Sequence, residues 1–90
     1  MEIAELIALA AVRSGKTRKE LAEEMGATGQ KLSKLSAGEH KPNASEIIFL
    51  ASQAKLPPLK TLAEIEGELH PEFAAIWKKV AKASAGITSL

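Results

Sequence analysis

Apolar residues recur every three to four positions along this chain, in short runs that glycine and proline interrupt. This spacing corresponds to one face of an α-helix, and no run alternates apolar with polar residues as a half-buried strand would. The interruptions fall at Gly15, Gly26, Gly38, Pro42, Pro57, Pro58, Gly67, Pro71 and Gly86. They leave intervals of about 9–15 residues, the usual length of helices in small domains. The pattern therefore predicts an all-α fold of five to six short helices.

The first predicted helix, Ile3–Ser14, is apolar on nearly every side. A helix without a polar face is normally buried on more than one side. Other helices of the chain must therefore cover it. The apolar segment around Trp77 is a candidate for that cover.

Two later segments begin with the pattern of a capping box. Thr17 is followed three residues later by Glu20, and Asn43 is followed three residues later by Glu46. In this arrangement the first side chain accepts from a backbone N–H, while the carboxylate reaches back to the first residue's own N–H. Thr28 is placed to cap a third helix in a similar way. These residues predict where three helices start.

The second and third predicted helices, residues 17–25 and 28–37, are joined through Gly26 and Ala27. Two short helices with such a turn define a helix-turn-helix. The helical period assigns a shared interior to Leu21, Met25, Leu32 and Leu35. It then turns outward Gln30, Ser33, Lys34 and Ala37. Glutamine and lysine on such a face can pair with adenine and guanine in the major groove of DNA.

The net charge of +1 favours no class of partner, but the basic residues are clustered. One cluster without an acidic residue comprises Arg13, Lys16, Arg18 and Lys19. A second cluster, opposed only by Glu39, comprises Lys31, Lys34, His40 and Lys41. A basic face on a nearly neutral domain is suited to phosphate contact. The candidate phosphate contacts are Lys16, Thr17, Arg18, His40 and Lys41.

The segment from residue 17 to residue 42 resembles the helix-turn-helix of the XRE/Cro-type phage repressor family. The resemblance is carried by Thr17, Glu20, Leu21, Ala22, Gly26, Thr28, Gln30, Leu32, Leu35, Gly38 and Pro42. It extends over about residues 3–55 and implies a lambda-repressor-like bundle, with a phosphate contact at Arg18. It implies DNA-facing positions at Thr28, Gly29, Gln30, Lys31 and Lys34. Because Gly29 lacks a side chain, the candidate base contacts are Thr28, Gln30, Lys31 and Lys34.

The same resemblance divides the chain into a helix-turn-helix domain over residues 1–55 and a C-terminal helical extension over residues 56–84. Residues 85–90 are expected to be frayed. The last helix of the extension has an apolar face formed by Phe73, Ile76, Trp77 and Val80. This face either folds back on its own domain or pairs with a second copy of the chain, and the sequence leaves both arrangements open.

Several classes of function are disfavoured by what the sequence lacks. The chain has no cysteine, and His40 and His70 do not have metal-ligand spacing, so we expect no metal. No catalytic triad, phosphate-binding glycine loop or paired carboxylates occur, so we expect neither an enzyme nor a cofactor or small-molecule substrate. The apolar opening segment is too short to span a membrane and lacks the basic start of a secretory signal, which indicates a cytoplasmic protein.

The leading hypothesis is a sequence-specific regulator of transcription that binds double-stranded DNA. Many members of the resembled family are dimeric repressors, which implies a homodimer that occludes a two-fold operator. The alternative is a protein-interaction module on the same fold, such as an antitoxin or accessory protein, with residues 56–80 binding a partner. A structural helical bundle without a ligand is a third possibility.

Overall fold

In a computed structural model of the chain, the described residues are 1–87, with side chains described as far as Ala83. This part of the chain contains six α-helices and no strand, which confirms the predicted all-α class. The helices are α1 (Ile3–Ser14), α2 (Arg18–Glu24), α3 (Gly29–Ala37), α4 (Ala44–Gln53), α5 (Pro58–Leu69) and α6 (Ala74–Ile87). A short 3-10 turn, Pro71–Phe73, connects α5 to α6.

Both predicted capping boxes form. The Thr17 hydroxyl accepts from the Glu20 N–H at 3.1 Å, and the Glu20 carboxylate accepts from the Thr17 N–H at 3.0 Å. Asn43 and Glu46 make the same reciprocal pair at 2.8 and 2.9 Å. Each bond satisfies a backbone N–H that the first turn of a helix leaves unpaired. The starts of α2 and α4 are therefore determined by local side chains.

Glycines in the left-handed conformation end α1 and α3. Gly15 has a φ of 71° and Gly38 a φ of 81°. Glycine adopts this conformation readily because it has no Cβ to clash with the backbone. Both helices consequently stop where the sequence pattern predicted.

The hydrophobic core lies among α1, α2, α3, α4 and α5. Its largest fully buried side chains are Leu6, Ile7, Leu21, Leu32, Leu35, Ile47, Leu50 and Ile65. α4 is central because it packs against α1 on one side and α5 on another. α1 is covered mainly by α4 and α3, not by the segment around Trp77, and Val12 on its outer side remains 79% exposed.

The C-terminal segment is continuous with this core. Leu62 and Ile65 of α5 belong to the same buried cluster as the helices that precede residue 55. α6 folds back on α5, and Trp77 packs beside Gly67, so closely that a Cβ at position 67 would lie 3.7 Å from the Trp77 Cβ. In contrast, Phe73 and Ile76 remain 50% and 58% exposed. The apolar face of α6 is therefore divided between a buried half and an exposed half.

α6 is the longest helix described, with 14 residues. Neither it nor another helix within residues 1–87 has the length and apolar character needed to cross a bilayer. The frayed end was predicted to begin at residue 85, but α6 continues to Ile87. The rest of that prediction, residues 88–90, lies outside the described residues.

Candidate nucleic-acid interface

α2 and α3 pack together and are joined by a short turn. The turn contains Gly26, with a φ of 74°, and the N–H of Ala27 donates to the Ala22 carbonyl at 2.8 Å. The two helices are anchored to the core by Leu21, Leu32 and Leu35, while Met25 is half-buried. This element order, turn length and shared interior are those of a helix-turn-helix.

The solvent side of α3 is polar. Gln30 and Ser33 are exposed and Lys34 is half-exposed. Their spacing puts them within one turn on one side of the helix, as the helical period predicted. Their side chains make no hydrogen bond or ion pair with the described part of the chain. An amide, a hydroxyl and an ammonium are thus available to an external partner. Ser33 was predicted to face outward, but it was not among the candidate DNA contacts.

The start of α3 is also accessible. The Thr28 hydroxyl caps the helix by accepting from the Lys31 N–H at 3.1 Å, which leaves its own O–H as a donor. Gly29 is the first helical residue, and a Cβ built on it would meet no atom within 4 Å. Open space therefore surrounds the end of α3 where the base contacts were predicted.

Lys31, a predicted base contact, is paired with a carboxylate on the neighbouring helix α4. Its Nζ lies 2.9 Å from Oε2 of Glu46, on α4. The Glu46 side chain is only 8% exposed and also accepts from the backbone N–H of Asn43 at 2.9 Å. The Lys31 ammonium is thus directed toward α4, and its ion pair with Glu46 links α3 to α4. The predicted role of Lys31 in base contact stays a prediction, which would require this ion pair to open.

The charge state of Glu46 is set by opposing effects. Burial by itself raises the pKa of the carboxyl group. Hydrogen bonds from the Asn43 N–H and the Lys31 ammonium, together with the charge of Lys31, outweigh burial and hold the Glu46 pKa below its ordinary value of 4.5. The contact between α3 and α4 is therefore an ion pair at neutral pH.

Two cations of the first basic cluster are engaged inside the molecule. The Nζ of Lys16 lies 2.7 Å from Oε2 of Glu24 and 2.9 Å from Oε1 of Gln53. Arg13 donates from Nη1 to the Ala54 carbonyl at 3.0 Å, which joins the end of α1 to the end of α4. Lys16, predicted as a phosphate contact, is consequently a structural link in this conformation.

The other predicted phosphate contacts remain at the surface. Arg18, at the first position of α2, is exposed, as are His40 and Lys41 in the loop after α3. Their side chains have no partner among residues 1–87. The exposed Thr17 hydroxyl accepts within its capping box and retains an O–H donor. Polar and basic groups therefore lie at the start of α2 and after the end of α3.

Comparisons of this chain with known protein families, with curated proteins and with solved structures find no match.

Proposed function

We propose that this protein is a sequence-specific DNA-binding regulator in which α3 enters the major groove. The observation that carries the proposal is the exposed polar face formed by Gln30, Ser33 and Lys34. These side chains project from a nine-residue helix whose opposite side is fixed in the core by Leu32 and Leu35. An α-helix fits the major groove, where each base pair presents a distinct pattern of donors and acceptors.

The roles of the groove-facing residues follow from their chemistry. The Gln30 amide can pair with adenine, and the Lys34 ammonium can donate to O6 and N7 of guanine. The hydroxyl groups of Ser33 and Thr28 can bond to either purine. Lys31 does not read a base in this proposal. Its ion pair with Glu46 instead holds α3 against α4.

The backbone of the DNA is contacted on both sides of α3 in this proposal. Arg18 and Thr17 lie at one phosphate, and His40 and Lys41 lie at another. Contacts of this kind set the position and orientation of a protein on the duplex without reading the sequence. The cations among them can reach DNA without first breaking an internal ion pair, unlike Lys16.

We further propose that the protein acts as a dimeric repressor that occludes a two-fold operator. One short helix reads few base pairs, and each wrong base pair typically costs only about 1–3 kcal/mol. Two copies double the contacts and place their half-sites about one turn of DNA apart. The resemblance of residues 17–42 to dimeric repressors supports this form of the proposal.

Selection of bound sites from a random DNA pool tests the proposal. Wild-type protein should enrich a two-fold site, and Gln30→Ala should lose about 1–3 kcal/mol of discrimination at one base step of each half-site. Arg18→Ala should weaken binding to every sequence alike. Lys60→Ala, which removes an exposed lysine from α5, is the matched control and should alter neither specificity nor affinity.

Two results would count against this function. If Gln30→Ala and Arg18→Ala weakened every sequence equally, α3 would not be the reading helix. If the wild type enriched no site and bound random duplex with little dependence on salt, a protein-interaction module would be favoured. The observation that favours this second candidate function is the exposure of Phe73 and Ile76.

A further inference from the structure

The exposed half of the α6 face forms a narrow apolar strip. Phe73 and Ile76 are half or more exposed, and Val80 extends the strip by one further turn. α6 packs on α5 through another side that includes Trp77. No large contact from the other described helices covers the strip. Exposed aromatic and branched side chains aligned on a helix often mark an interaction surface.

The polar residues beside the strip have a symmetric arrangement. Ile76 is at its centre, with Phe73 and Val80 three residues before and four residues after it. Glu72 and Lys79 lie four residues before and three residues after it. Glu72 and Phe73 belong to the 3-10 turn, which continues directly into α6 because Ala74 has a right-handed helical backbone and donates to the Pro71 carbonyl. Lys79 and Val80 follow within α6. The helical order therefore puts the two charged residues on one flank of Ile76 and the two apolar residues on the other.

Neither charged group is held firmly within its own chain. The Glu72 side chain is 61% exposed, and its Oε1 is 3.6 Å from Nδ1 of His70, beyond hydrogen-bonding distance. Lys79 is exposed and makes no ion pair with the described residues. Both groups are therefore available to a partner of opposite charge.

We propose that a second copy of this chain pairs with the strip, with the two α6 helices antiparallel and Ile76 on the two-fold axis. In this arrangement Glu72 of each copy lies beside Lys79 of the other, and Phe73 lies beside Val80. A parallel arrangement would instead place the charged flank of each helix against the apolar flank of the other, which leaves Glu72 and Lys79 without a partner of opposite charge. The pairing uses the same patch on both copies, as a two-fold dimer requires. This inference rests on the dimer of the proposed function and assigns its surface.

The expected association is modest. One pair of short helices forms an interface at the lower end of the size range for specific complexes. We therefore expect a dimer dissociation constant on the order of micromolar in the absence of DNA. Binding of both copies to one operator would strengthen the pairing by mass action.

Sedimentation of the full chain without DNA, over a range of concentrations, tests the pairing. Wild type should dimerise, and Ile76→Asp should be monomeric because two carboxylates would meet at the axis. Val12→Asp is the matched control, because Val12 is 79% exposed on α1, and it should dimerise like wild type. Ile76 is itself 58% exposed, so Ile76→Asp should retain its helical circular dichroism and thermal transition.

Charge reversal tests the antiparallel orientation. Glu72→Lys and Lys79→Glu should each raise the dimer dissociation constant about fivefold to tenfold, because each change affects two symmetric contacts. The double variant Glu72→Lys/Lys79→Glu should restore wild-type association. Because the chain has no cysteine, Ile76→Cys should also form a disulfide-linked dimer on oxidation, whereas Val12→Cys should not.

The outcomes separate this inference from the proposed function. A wild type that stays monomeric in free solution, or that dimerises regardless of Ile76→Asp, would overturn the pairing. Capture of a different protein through Phe73 and Ile76 by a monomeric wild type would overturn it as well. A dimer that meets the tests above but binds no DNA would support the pairing and contradict the proposed function, and a monomeric protein that selects a DNA site would do the reverse.

Discussion

Glu46 accepts hydrogen bonds from the Asn43 backbone and from the Lys31 ammonium while its side chain is almost fully buried. These two partners stabilise the ionised carboxylate more than burial destabilises it, so the Glu46 pKa in the folded protein lies below the ordinary 4.5. The folded state consequently binds this proton less tightly than the unfolded state does. The resulting stabilisation is complete above the ordinary pKa and is lost as the pH falls through the lowered one.

We therefore expect the free energy of unfolding to decrease below about pH 4.5 and Glu46→Gln to remove part of that decrease. At neutral pH the same substitution should lower the free energy of unfolding by about 1–3 kcal/mol, because the charge of Lys31 loses its partner. Urea unfolding over a series of pH values measures both effects. Glu23→Gln, in an exposed glutamate that makes no ion pair among residues 1–87, should keep the wild-type pH profile. An unchanged profile in Glu46→Gln would contradict the pKa argument.

Lys31 and Arg18 should respond to substitution in opposite ways. Lys31→Met removes the ammonium held by Glu46, so it should lower the free energy of unfolding while leaving the salt dependence of DNA binding unchanged. Arg18→Ala removes an exposed cation, so it should reduce the slope of log affinity against log salt by about 0.9 with little effect on stability. Urea unfolding and salt titrations on a selected site measure both properties. A reduced slope in Lys31→Met would mean that this ammonium leaves Glu46 for a phosphate.

The predictability of single residues depends on how far away their partners are in sequence. Thr17 and its capping partner Glu20 are three residues apart, so local pattern alone predicted their hydrogen bonds. Glu46, which pairs with Lys31, and Gln53, one of the two partners of Lys16, are on α4 and are brought close only by the packing of the fold. The sequence therefore predicted the outward face of α3 but could not show the internal contacts of these two lysines.

At the scale of the element, α3 is a short helix that is capped differently at its two ends. Thr28 caps its start, and Gly38 ends it with a φ of 81°. Gly29 has neither a left-handed backbone nor a neighbour within 4 Å of a built Cβ. The two glycines of α3 thus have different physical roles.

Gly29→Ala should raise the free energy of unfolding by about 0.4–1 kcal/mol, because alanine restricts the unfolded chain and meets no clash in α3. Gly38→Ala is the matched comparison and should lower the free energy, because alanine is strained at a positive φ. Chemical unfolding of both variants under identical conditions measures the difference. A destabilising Gly29→Ala would show that the start of α3 is more constrained than its surroundings indicate.

The ends of the helices were easier to predict from the sequence than the packing of one helix against another. Caps and glycines act locally, so they placed the ends of α1 and α3 where the structure has them. Phe73 was predicted to lie on the last helix, but it belongs to a 3-10 turn that precedes α6, where its N–H donates to the His70 carbonyl at 2.9 Å. The sequence of α6 does not show which of its apolar residues pack against α5, because Trp77 and Ile76 are both apolar.

At the scale of the whole molecule, the family resemblance ends near residue 55, but the hydrophobic core does not. α4 has α1 on one side and α5 on another, so Leu50 and Ile65 contribute to one buried cluster. The resemblance concerns only the residues that form the shared motif. The buried cluster, in contrast, is formed by every helix that packs into the same interior, including α5. The helix-turn-helix therefore depends for its stability on residues that follow it in the chain.

This dependence predicts that the C-terminal helices and the helix-turn-helix unfold together. Trp77 is the only tryptophan and packs against the core from α6, so its fluorescence reports on the α5–α6 end, while far-UV circular dichroism reports on every helix. The two thermal transitions should coincide at low protein concentration. Ile65→Ala should shift both together and cost about 2–5 kcal/mol, because it empties a position that is 2% exposed. The exposed control Val12→Ala should shift neither, and a fluorescence transition well below the main helical one would show that residues 56–84 form a separate unit after all.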